Sequence, residues 1–153
     1  MKISPNTQVT LCGVAAGLLL AMSAHAQDAL PIAELGAGMA RIEAEVAHTA
    51  EARITGLMNR VAMPLHRGMV FVFPEERAHC MWMKNTLIPL SVAFLDAEGR
   101  VLNIADMQPQ TTENHCAAGP ARFALEMNLG WFAERGVRPG DRLRGIDKLP
   151  APQ

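Results

Sequence analysis

The chain has no tyrosine, and only five phenylalanines and two tryptophans among 153 residues. Its core must therefore be filled by Val, Leu, Ile, Ala and Met. An excess of charge of one sign is also missing: 14 basic side chains stand against 15 acidic ones. That balance predicts no basic stripe for nucleic acid, and no Lys/Arg run points to lipid headgroups. No apolar run reaches the roughly 20 residues of a membrane-spanning helix. A glycine-rich phosphate loop, a nucleophile elbow, a zinc-protease helix and internal repeats are absent as well.

What is present begins with a leader. Lys2 precedes an apolar run from Leu11 to Met22, and Ala24-His25-Ala26 has the small-x-small pattern that signal peptidase cleaves. The expectation is a signal peptide over residues 1–26, cut between Ala26 and Gln27, and a bacterial protein delivered to the periplasm or secreted. An uncleaved anchor and a lipoprotein at Cys12 are the alternatives. The bulky Leu11 before Cys12 speaks against the second. No stable membrane span remains after cleavage.

Residues 27–39 read as a flexible spacer, 40–147 as a single domain, and 148–153 as a frayed tail. Ile42, Ala44 and Val46 alternate with charged residues as in a half-buried strand. Thr49 offers an N-cap for a short helix over 50–59. Met69–Phe73, His79–Met83, Phe123–Met127 and Arg142–Ile146 read as further strands. Asp96-Ala-Glu-Gly99 marks a hairpin between 90–95 and 100–105. Residues 107–120 form a polar loop, and a second helix covers 128–135, stopped by Gly136. The fold expected is mainly β, a small, mostly antiparallel sandwich or barrel-like domain with two short helices.

Four blocks stand in order along the chain. They are Arg53-x-x-Gly-Leu-Met-x-Arg60 with Met63-Pro64; Gly68-Met-x-Phe-Val-Phe73; Trp82-Met-Lys-Asn-Thr86 with Ile88-Pro-Leu90; and Leu125-Glu-Met-Asn128 with Gly130. In these the chain resembles the family called domain of unknown function 192, across roughly residues 41–146. The resemblance implies a β-rich fold and no settled biochemistry. Ser91 stands where that family usually has Asp after Ile-Pro-Leu, which puts in question any role needing a carboxylate there. Cys80-Met81 replaces the commoner small-residue-plus-Phe pair.

Four constellations could carry chemistry. Trp82 and Lys84 share one strand face, and Lys84 with Asn85 could hold an anionic group; alternatively Asn85 and Thr86 tie down the turn before Pro89 while Lys84 lies over Trp82. Arg53 and Arg60, seven apart, could converge with Lys84 on a small anionic ligand, or pair with Glu126, Asp96 or Asp141. Glu126, on the polar face of its strand, is a weak candidate base, the alternative being a salt bridge. The last constellation is the pair of dipeptides His79-Cys80 and His115-Cys116. In an oxidising compartment Cys80 and Cys116 are expected to form a disulfide. The alternatives are a Cu or Zn site of His79, Cys80, His115 and Cys116, with Met81, Met83 and Met107 as soft neighbours, or free thiols. Together these features favour a non-catalytic binding or accessory protein of the envelope, its partner a small anionic ligand or another envelope protein. A metal handler and a small hydrolase or transferase are the competing readings.

Overall fold

The computed structural model describes residues 29–153, so the expected leader and cleavage point lie outside the described residues. The architecture is mainly β with two short helices. Six strands form one sheet: β1 (Ile32–Ala37), β2 (Ala40–Ala47), β3 (Arg67–Arg77), β5 (Leu90–Leu95), β6 (Val101–Met107) and β8 (Ala121–Asn128), in the spatial order β1-β2-β3-β8-β5-β6. A second, two-stranded ladder pairs β4 (Cys80–Met81) with β7 (His115–Cys116).

All neighbours in the large sheet are antiparallel except β2 and β3. A parallel pair needs a crossover, and residues 48–66 supply it, carrying helix α1 (Ala50–Thr55). Thr49 caps α1 by accepting the Ala52 N–H. The helix stops short of the expected residue 59 because Gly56 takes a positive φ of 46°. A Cβ there would sit 3.3 Å from the Phe71 ring.

The central strands are buried on both faces. From β3, Val70 and Val72 enter one core, with Leu125, Met127, Trp131 and Phe132. Met69, Phe71 and Phe73 enter the other, with Val92, Phe94, Leu57 and Met83. Segments 48–63, 79–89 and 108–118 cover that second face. Helix α2 (Trp131–Glu134) and the 3-10 turn Ile146–Lys148 cover the first.

Three boundary expectations change. Residues 32–37 of the expected spacer are β1, registered from Ile32↔Glu45 to Ala37↔Ala40. Its Gly and paired Ala residues hide the alternation by which strands are read. The expected tail is docked: Leu149 packs on the core, and Gln153 N–H donates to the His48 carbonyl at 2.7 Å. Within the expected loop 107–120 lies β7, too short at two residues to show any period.

Residues 140–146 do not form a regular strand. Instead they bond to both outer strands of the sheet. Arg144 and Gly36 exchange backbone bonds of 2.8 and 3.1 Å, while Leu143 N–H donates to Gly99 and Val101 N–H to Asp141. The two edges are thereby joined on one side of the sheet.

Candidate functional site

The motif turn is built for rigidity. Asn85 adopts φ 58°, a left-handed conformation that Asn tolerates better than most residues. Thr86 N–H closes the turn on Met83 O, Asn59 N–H donates to Asn85 O at 2.9 Å, and Gln110 N–H donates to Thr86 O. Thr86 is buried while Trp82 is half exposed, and the Lys84 ammonium lies 5.5 Å from the centre of the Trp82 indole. The structure thus brings Trp82, Lys84 and Asn85 into one turn.

It does not bring Arg53 and Arg60 there. Since α1 ends at Thr55, helical spacing no longer relates the two. Arg53 reaches inward and donates to His48 O, Val72 O and Gln153 O at 2.6, 3.0 and 2.9 Å. Its guanidinium is a clamp on three stretches of backbone. Arg60 forms a two-point pair with Glu45 at 2.5 and 2.6 Å, and the hydrogen bonds it donates to that carboxylate raise its pKa further. The partner is Glu45 rather than Glu126, Asp96 or Asp141.

Cys80 and Cys116 face each other across the β4–β7 ladder and are joined by a disulfide. Asn103 of β6 fixes this ladder by bonding Cys116 O and Ala118 N–H. His79 leaves the sulfurs to stack on Phe73 with ring centres 3.8 Å apart, and its Nε2 meets Glu75 O. Burial there pushes its pKa down. His115 sits opposite Met81, its Nε2 buried without a hydrogen-bond partner. With both sulfurs bonded to each other, the four residues are not arrayed about one point. Among the described residues no three His, Cys, Asp or Glu side chains are grouped to hold an ion.

Glu126 was expected on a polar strand face. The alternation is as read, but that face is roofed by the second layer, so the residue is only 4% exposed between Met69 and Val92. Burial alone pushes its pKa up to about 8. The nearest carboxylate in its cross-strand row is Glu45, two strands away and thus roughly 10 Å across the sheet. Glu126 has the ionisation of a general acid but no nucleophile or second acid in register with it.

Ser91, where the family resemblance leads one to expect Asp, has a structural task. Its hydroxyl donates to Asp106 at 2.5 Å and accepts the Gly130 N–H at 2.9 Å, fixing the residue that opens α2. A serine oxygen can accept that bond as a carboxylate would.

A groove of about 560 Å³ lies elsewhere, on the β1–β2 side of α1. Its walls include Leu30, Pro31, Glu45, His48, Thr49 and Arg60, and none of Trp82, Lys84 or Asn85. His48 Nδ1 is buried there without a partner. Sequence reasoning missed Glu45, His48 and Thr49 as a group. Alternation showed Glu45 only as a polar position, and the crossover that brings residues 48 and 60 beside it leaves no local signature.

Comparison with known proteins agrees with this architecture. The sequence profile of domain of unknown function 192, described as an uncharacterized ACR, matches residues 32–145. A crystal structure from Sinorhizobium meliloti 1021, of a protein provisionally called a transcription regulator, superposes with a TM-score of 0.70 at 34% identity, over 74% of this chain and 92% of that one. A protein of unknown function from Novosphingobium aromaticivorans DSM 12444 gives a TM-score of 0.73 at 33% identity, over 78% of this chain and 89% of that one. No curated protein matches the sequence.

Proposed function

As this chain belongs to the domain of unknown function 192 family, which provides a fold without an assigned reaction, we propose that it is a non-catalytic binding module of the cell envelope. It is exported by cleavage between Ala26 and Gln27, and its ligand enters the groove beside α1. The observation that carries this reading is the groove's lining: an Arg60–Glu45 pair with His48 and Glu51 beside an apolar wall. A concave apolar wall with a few polar groups at its margin is the usual form of a small-molecule site.

The lining also narrows the ligand. Both terminal nitrogens of Arg60 are engaged by Glu45, and Glu51 adds a second carboxylate. A purely anionic ligand, as expected from Arg53, Arg60 and Lys84 acting together, has no uncompensated cation here. A small zwitterion fits better, its cationic end toward Glu51 and its acceptor toward His48. Leu30, Pro31 and Ala52 provide the apolar wall.

The test is thermal unfolding of the purified protein with a panel of amino acids and betaines. At least one should raise the melting temperature in wild type and fail to do so in His48→Ala. The reading is lost if no zwitterion shifts the wild type, or if His48→Ala responds equally. Intact mass of the periplasmic protein checks the other half: it should begin at Gln27.

A further inference from the structure

Three loops meet where β3 and β5 begin and β8 ends: residues 57–66, 82–89 and 129–130. They are fastened to one another. Asn59 N–H donates to Asn85 O, Leu129 N–H to Pro89 O, Asn128 Nδ2 to Met63 O and Trp131 Nε1 to Leu65 O, at 2.8 to 3.2 Å. Yet these anchored loops leave large apolar side chains in water. Val61 is 84% exposed and Leu65 66%, while Trp82, Leu87 and Leu129 range from 47% to 39%.

Single exposed leucines are ordinary, but a gathered set on mutually fixed loops marks a contact surface. Charge is the second observation. The three loops contain Arg60, His66 and Lys84 and no carboxylate of their own, although Glu43 of β2 reaches His66 at 3.8 Å. Arg60 is neutralised by Glu45, which leaves Lys84, poised over Trp82, as the free cation of the rim.

We propose that this rim docks on an anionic lipid bilayer, inserting Val61, Leu65, Trp82, Leu87 and Leu129 into the headgroup region. Val61 and Leu65 stand well out from their loop. A peptide partner is held by a groove or a free strand edge, whereas a bilayer interface accepts prongs. A half-exposed indole suits headgroup depth, and a lysine beside it can reach lipid phosphate while its stem lies on the ring. The chain has no Lys/Arg run; the fold assembles the surface from three separate loops instead. The docking surface is distinct from the α1 groove and does not depend on it.

The test titrates the processed protein, isolated from the envelope fraction, with vesicles of phosphatidylcholine alone or mixed equally with phosphatidylglycerol. Trp131 is buried, so a blue shift in tryptophan emission on binding reports Trp82. Binding and a blue shift are expected on the anionic vesicles. Val61→Asp with Leu65→Asp should weaken binding by at least about tenfold, and Lys84→Gln by about fivefold. Both Asp substitutions fall on side chains already in water, and Leu87→Ser provides an independent variant should that pair misfold. All variants share one N-terminus, so residues 1–26 cannot account for a difference. Failure of the wild type to bind anionic vesicles overturns the proposal, as does binding that the variants leave unchanged. If the Asp pair instead splits a dimer without altering vesicle binding, the rim is a contact between copies and lipid docking falls.

Discussion

Glu126 shows how one side chain can set the pH response of a fold. Its carboxyl titrates at about 8 in the folded chain, against an ordinary 4.5. The folded state therefore holds a proton that the unfolded state releases between those values. Its contribution to stability is whole below pH 4.5, falls as pH rises, and is gone above about 8. Glu126→Gln, neutral at every pH, should flatten this slope and exceed wild-type stability by about 3–5 kcal/mol at pH 9. Urea unfolding at pH 5 and pH 9 checks it; parallel slopes for the two proteins would contradict the assignment. The same residue marks the reach of sequence reading. Alternation placed Glu126 correctly opposite Leu125 and Met127, but it cannot show that a second layer roofs the polar face. Trp82, Lys84 and Asn85 were readable as a unit because they are neighbours in sequence. The groove residues Glu45, His48 and Arg60 were not, because only the crossover unites them.

At the level of elements, two fasteners hold the second layer to the sheet. Arg53 ties the start of α1 to β3 and to Gln153 through three backbone carbonyls. Arg53→Ala removes all three bonds and should cost about 2–4 kcal/mol, measured by urea unfolding. Arg53→Lys should recover only part, since an ammonium lacks the planar fork. The Cys80–Cys116 bridge is the other fastener, closing a loop of 36 positions. Its removal by Cys80→Ser with Cys116→Ser should cost about 3–4 kcal/mol in the chain-entropy account. Amide exchange should then quicken in 79–89 and 108–118 before it does in β3 or β8. The sequence pointed to this pairing through its two dipeptides. It pointed wrongly to Arg53 and Arg60 on one helical face, since Gly56 ends the helix between them. In β1, Gly36 and two alanines blurred the strand, and only pairing with β2 reveals it.

For the whole molecule, the sheet is mixed and buried on both faces, with one parallel pair as the origin of its asymmetry. The crossover that this pair requires carries α1, and α1 makes one wall of the groove. Composition foretold only part of the core filling: Val, Leu, Ile, Ala and Met are there, but so are all five phenylalanines and Trp131. It could not foretell the linkage of the sheet's edges by residues 140–146, because isolated bridges have no periodic signature. Loss of those residues should leave β1 and the start of β6 with unpaired amides and carbonyls. A chain ending at Pro139 is expected to sediment as large aggregates at concentrations where the full chain stays small, and light scattering at matched concentration would decide.

That late-placed segment also fixes an order of events. Synthesis proceeds from the N-terminus, so residues 140–146 emerge after every strand of the sheet. Until they do, the nascent sheet has two open borders on which another copy could grow. Safety from polymerisation is thus conferred only once the whole sheet has been made, and a pause between residues 128 and 140 would be its most hazardous moment.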